Sequence, residues 1–298
     1  MPLFGQRGHD EAGSDATPPP DAPAAPPSVE AGDVELPEFI GERERLAQLR
    51  KSDGRFFTSR DSLDSLLLFD DLGLEPVGSV LGATMYHIGW VKQTWRDSRE
   101  VPELTQMMYN ARELMMSRLL DEARELGADG IIDIRLNIYY WDWGPELAEF
   151  VATGTAVRYR DPARRRAPDA PPFTTEYDGR GVWRLRRLGF APLAFVMGNC
   201  VWHVAHQSLR ATLNRVGRNV EMPNFTQALY SARELAMVRM QEEAQRLGGD
   251  GITTHSLSDA KRGWGDHVME FTAFGNTVKR IPGERPPLSP SLIFDVSS

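Results

Sequence analysis

Between residues 104 and 126 the apolar side chains recur at helical spacing. At 100° steps Leu104, Met108, Ala111, Met115, Leu119 and Leu126 share one arc. Pro102 opens this stretch, where proline's fixed φ and missing N–H suit a first helical turn. Gly127 follows the last apolar position and predicts a left-handed stop. Upstream, residues 77–89 alternate, which predicts a strand with Val77, Leu81, Met85 and His87 on one apolar face. Before it, Ser62 is placed to cap the segment SLDSLLLFDDLG, which Gly73 closes. After the helix come Asp-Gly-Ile, a strand, a turn carrying Trp-Gly, and a last strand ending at Val157. The order is β-α-β-β. It predicts one long helix on a small antiparallel sheet, a two-layer α+β unit.

The whole pattern occurs twice. Phe57-Thr58 recurs as Phe173-Thr174, and LGLEPVGSVLGATMYH (72–87) as LGFAPLAFVMGNCVWH (188–203). After five extra residues within 206–221, LTQMMYNARELMMSRLLDEARELGADGI (104–131) recurs as FTQALYSARELAMVRMQEEAQRLGGDGI (225–252). Trp143-Gly144 matches Trp264-Gly265, and Gly154 matches Gly275. A register held this long is an internal duplication. It divides the chain into a first domain at 38–160 (core 57–160) and a second at 173–281. Residues 1–37, rich in Pro, Ala and Asp, cannot bury enough apolar surface to order themselves and read as a disordered acidic tail. Residues 161–172 (DPARRRAPDAPP) read as a linker, and 282–298 as a Pro-rich C-terminal tail whose Leu292, Ile293 and Phe294 can clip onto a folded surface.

Composition narrows the function classes. Of the formal net charge of −8, the tail carries −6, so the globular part is close to neutral and lacks the footprint of a nucleic-acid binder. Nine arginines between 158 and 187 form the one basic strip, either a solvated linker or a docking strip for an anion such as the tail itself. The single cysteine, Cys200, rules out an intrachain disulfide and a Cys₄ or Cys₂His₂ zinc site. The N-terminus shows no signal-peptide pattern and no apolar run near it is long enough to span a bilayer, so a cytoplasmic protein away from membranes is expected.

The residues also carry a family resemblance. Gly-x-Val-x-Gly in the first strand, ARELMMSRLLDEARELGADGIIDI in and after the helix, and FVATGTAVRY in the last strand resemble the YbjQ family of heavy-metal-binding proteins. The resemblance covers nearly all of both repeats. It implies a dodecin-like β-α-β-β subunit, a pentameric ring, a divalent metal as the candidate cofactor, and no catalytic residues. The two fused copies and the long tail depart from the usual single-domain form. A two-copy chain closes either as five chains in two stacked rings or as three in a six-unit ring of alternating copies. The divergence at 206–221 favours the stacked pentamer.

Candidate site residues fall into three sets. His87 and His203 occupy matching strand positions, as metal ligands or as satisfied core histidines. His255 and His267 belong to the second copy alone, where a turn near Lys261 sets them opposite each other, two ligands where zinc wants three or four. The hairpin aromatics Trp141, Trp143 and Trp264, with Tyr109 and Tyr230 on the helices, are candidates for subunit contact or for stacking on a flat ligand. Arg118 and Glu122, with Arg239 and Glu243 at the matching positions, fall four apart on the apolar arc and predict half-buried structural ion pairs. There is no nucleophile elbow, Walker loop or HExxH. The expectation is a non-enzymatic, ring-forming module binding a metal or small ligand, or alternatively an oligomeric scaffold that displays acidic tails to a protein partner.

Overall fold

The computed structural model describes residues 57–87, 98–140, 147–205, 223–260 and 267–283, with Glu44 and Ala47. The fold is α+β, with two four-stranded sheets that each pack a long helix. The first repeat contains α1 (Leu63–Leu67), α2 (Phe69–Leu72), β1 (Leu74–His87), β2 (Arg99–Glu100), α3 (Pro102–Glu125), β3 (Gly130–Tyr140) and β4 (Leu147–Tyr159). The second contains β5 (Phe173–Thr174), α4 (Gly179–Arg187), β6 (Phe190–His203), α5 (Pro223–Arg246), β7 (Gly251–Ala260) and β8 (Val268–Arg280). Local signals act where the sequence sets them. Ser62 Oγ accepts from Ser65 N–H at the start of α1, and Gly73 closes α2 at φ 65°. Both long helices begin at their proline, and Gly127 and Gly248 take left-handed φ of 68° and 77° after them.

Strand β1 turns its faces differently from its simple alternation. A bulge between Pro76 and Gly78 shifts the register against β4 by one residue. From there Val80, Gly82 and Thr84 face α3, while Leu81, Met85 and His87 point outward and are exposed. One extra residue therefore overturns the expected apolar face beyond Val77. At Gly82 the helix backbone comes so near that an added Cβ would stand 2.2 Å from Met115 O; at Gly198 it would stand 1.8 Å from Ala236 O.

The repeats are interlocked by an exchange of strands. The first sheet runs β1-β4-β3-β5, so its last strand comes from the second repeat, parallel to β3 with Gly130 opposite Phe173. The second sheet runs β2-β6-β8-β7, so its first strand comes from the first repeat. Helix α3 lies between the sheets. It buries Leu104, Met108, Met115 and Leu119 on its own sheet, and its apolar cluster continues into Phe195, Val201 and Val268 of the other. Helix α5 covers one sheet only, and its buried positions are Ala228, Ala232, Ala236, Met240 and Ala244. Residues 161–172 run over the first repeat, where Arg166 donates to the carbonyls of Ala128, Pro168 and Ala170. Arg158 pairs with Glu75, Arg160 with Asp70, and Arg164 lies over the Tyr159 ring. These arginines of the basic strip are spent on local contacts.

Candidate functional site at the seam between the repeats

Only Trp202 and His203 of β6 pair with β2, so the rest of that side of β6 is an open edge, and polar side chains of both repeats converge on it. An edge strand leaves alternate N–H and C=O groups without partners, and here side chains of both long helices supply them. Asn199 N–H donates to Tyr109 Oη at 2.9 Å and Val201 N–H to Thr105 Oγ1 at 3.0 Å, both acceptors on α3. Arg112 donates to Phe195 O, and Val101 N–H to Val201 O. From α5, Glu243 accepts from Met197 N–H at 2.9 Å and Arg239 donates to Asn199 O at 2.8 Å. In the first repeat Glu122 accepts from Leu81 N–H and Arg118 donates to Ala83 O, the matching positions. Each expected Arg/Glu set thus reaches the strand beneath its helix. The partners across the seam are Arg112 for Glu243 at 2.8 Å and Glu100 for Arg239 at 2.7 Å.

The electrostatics follow from this burial. For Glu100, burial alone would raise the carboxyl pKa, but hydrogen bonds from Arg239 and Thr105 and the Arg239 charge outweigh it and hold it below the ordinary value. Burial raises the Tyr109 phenol against the lesser, opposing bond from Asn199. Burial, then the nearby Glu100 charge, pushes the Cys200 thiol up to about 12. Below the ion pairs, Tyr140 Oη donates to Glu270 at 2.6 Å, and Asn199 Nδ2 donates to Glu270 and Thr272. At its mouth the seam opens to a cleft of 440 Å³ between Tyr109, Glu113, Arg239, Glu242, Glu243 and Arg246.

The expected metal residues do not gather there. His87 is exposed at the end of β1, and His203 is 3% exposed at the end of β6, where it pairs in register with Val268 beside His267. β7 sets Ser256 opposite Phe274 and Ala260 opposite Glu270, a register in which His255 and His267 are not cross-strand neighbours. Among the described residues no three His, Cys, Asp or Glu side chains converge on one point. Trp141, Trp143 and Trp264 lie outside the described residues. Tyr109 lies in the seam, and Tyr230, its counterpart, is 60% exposed.

Sequence reasoning passed over Glu100, Arg112, Asn199 and Glu270, and it set Tyr140 among the hairpin aromatics without its bond to Glu270. Arg112 carried a signal of its own: a charged residue beside the helical arc whose counterpart, Arg233, is present too. Asp133 was also missed. It sits buried at the bulge of β3 with φ 51°, and burial outweighs Arg135 to raise its pKa.

Two interlocked β-α-β-β repeats, each packing a long helix on its own sheet and sharing one seam, define an α+β protein of paired repeats. The family profile described as "Putative heavy-metal-binding", YbjQ, matches residues 77–160. The chain is 42% identical over 256 residues to the encapsulin nanocompartment protein Rv1762c of Mycobacterium tuberculosis, covering 86% of this chain and 96% of that one. It is 43% identical over 67 residues to the UPF0145 protein TT_C1581 of Thermus thermophilus, and 39% over 61 residues to a UPF0145 protein of Archaeoglobus fulgidus. These last two matches span 56% and 55% of the relatives and 22% and 20% of this chain. Residues 77–160 therefore form a domain of the YbjQ/UPF0145 family, and over nearly its full length the chain belongs to the same family as Rv1762c. Neither the family description nor these names gives a catalytic activity. No helix among the described residues is long and apolar enough to cross a membrane.

Proposed function

We propose that this protein is a non-enzymatic, self-associating component of an encapsulin compartment in the cytoplasm. The observation that carries the reading is the 42% identity over 96% of a protein named for the encapsulin nanocompartment, an alignment long enough to include both repeats. The seam supports it. Its charged groups are consumed in holding the two repeats together, as in a surface built for assembly. The acidic tail at 1–37, with net −6, is the segment offered to a protein partner. The repeats sit edge to edge, the relation of alternating neighbours in one ring, so the reading takes alternating copies over two stacked layers.

Co-expression with the encapsulin shell protein of the same organism tests the compartment reading. The full chain is expected to sediment with intact shells and to stay with them through gel filtration, and deletion of 1–37 to reduce its share. A chain that elutes apart from intact shells overturns the reading. Elemental analysis of untagged protein is expected to find no stoichiometric metal; one bound divalent ion per chain would restore the metal function.

A further inference from the structure

The interface inside this chain is open at both ends. The first repeat gives its helix face (Thr105, Tyr109, Arg112) and its β3 edge; the second gives its β6 edge and the strand Phe173–Thr174. By the duplication, the second repeat owns a helix face of the same kind in Thr226, Tyr230 and Arg233, and the first owns a matching strand edge in β1. Within the described chain neither has an occupant.

The burial contrasts are large. Arg112 is 4% exposed, whereas Arg233 is exposed; Tyr109 is half-buried, whereas Tyr230 is 60% exposed. On the strand side Met197 and Val201 are fully buried, whereas their counterparts Leu81 and Met85 are 46% and 50% exposed. Gly130 lies under the Phe173 ring, where an added Cβ would stand 2.2 Å from it; at Gly251 the nearest atom is 3.9 Å away and belongs to its own sheet. Beside that free β7 edge lies a groove of 380 Å³ floored by Met237, Met240, Ala244 and Ile252.

The strand meant for that edge is already shaped. Thr174 Oγ1 accepts from Phe195 N–H at 2.9 Å, and Thr58 Oγ1 accepts from Ser79 N–H at 2.8 Å. Phe57-Thr58 is therefore held on its own repeat as Phe173-Thr174 is, yet it is paired in neither sheet, and Phe57 is 43% exposed.

We propose that a second copy of this chain docks by repeating the intrachain interface: α5 and the β7 edge of one copy receive the β1 edge and the Phe57-Thr58 strand of the next. In that contact Tyr230 Oη accepts from Ala83 N–H, Thr226 Oγ1 accepts from Met85 N–H, Arg233 donates to Ser79 O, and the Phe57 ring lies on Gly251. The contact joins two different faces, so a docked pair still leaves one face of each kind open, and growth ends only when a ring closes. It deepens the self-association within the reading above, naming its surfaces and the alternating order of copies.

Native mass spectrometry of the full chain tests it with half-defective variants. The wild type is expected at a whole-number multiple, two or more, of 33.4 kDa. One variant, Y230D/R233E, spoils only the helix face; the other, M85D, spoils only the strand edge. All three positions are exposed, so circular dichroism and the melting curve should stay as in the wild type. Each variant alone is expected at 33.4 kDa, and their mixture at twice that mass and no higher. A monomeric wild type, variants as large as the wild type, or a mixture that stays monomeric overturns the proposal. A monomer that still enters encapsulin shells would sink this inference and leave the compartment reading standing.

Discussion

Glu100 shows how one side chain can fasten two repeats. It leaves the short strand β2 and holds Arg239 through two hydrogen bonds, at 2.7 and 2.9 Å, across 139 positions of sequence. Side-chain exposures of 29% for Arg239 and 20% for Glu100 put the pair between the surface and the buried regimes. Replacing Glu100 by Gln should cost about 1–2 kcal/mol at neutral pH, more than an exposed pair and less than a fully buried one. The pH dependence has a definite sign. The folded carboxyl titrates below its ordinary value, so its stabilisation is complete above the unfolded carboxylate range and fades as pH falls through the folded pKa. Urea titrations of wild type and Glu100→Gln should therefore differ at pH 7 and converge in acid. A difference that persists unchanged at low pH would mean the carboxylate charge is not what holds Arg239.

At the scale of elements, each repeat brings helix backbone close against strand backbone at a glycine. Glu122 and Arg118 then grip β1 on either side of Gly82, at Leu81 N–H and Ala83 O. Gly82→Ala places a methyl group 2.2 Å from a helix carbonyl that cannot rotate away, so α3 must lift from the sheet. That substitution should cost about 3 kcal/mol, at the top of the range for overpacking. Gly127→Ala is a different case: open space surrounds it, and its cost is that of φ 68°, about 1 kcal/mol. Thermal melts of the two variants should rank in that order; equal losses would show that the helix yields easily. The asymmetry of the long helices has the same origin in packing. Helix α3 meets two sheets and is rich in Leu and Met, whereas α5 meets one and buries chiefly Ala.

For the whole molecule, the shared core makes two repeats into one folding unit. An apolar cluster built on α3 includes Phe195, Val201 and Val268 of the second repeat, so neither repeat can melt without exposing the other. Calorimetry should give a single transition for the described body, with van't Hoff and calorimetric enthalpies equal. Arg112→Ala tests the coupling, because it leaves Glu243 facing a seam without its cation. A loss of about 3 kcal/mol is expected, as for a broken pair that is largely buried, while Arg233→Ala in a monomeric background should change stability by less than about 0.5 kcal/mol. Equal effects would deny the seam its role.

Much of this fold was legible along the chain because its signals are local. Pro102, Pro223, Gly127 and Gly248 bound the helices through φ and through hydrogen bonds within a turn. The 3.6-residue period marks the face of α3 that meets its own sheet, and the duplication exposes the two β-α-β-β units at once. Family membership rests on the same local strings. The register was not legible: the bulge at Pro76–Gly78 sends Leu81, Met85 and His87 outward, and the pairing of β7 with β8 separates His255 from His267. Nor was the seam. Glu100 with Arg239, Arg112 with Glu243 and Tyr140 with Glu270 meet only after strands are exchanged between repeats, across more than a hundred positions of chain. Periodicity reports which face of an element is apolar. Which distant element covers that face, and which charges meet there, depends on how the sheets close against each other, and only the tertiary structure carries that information.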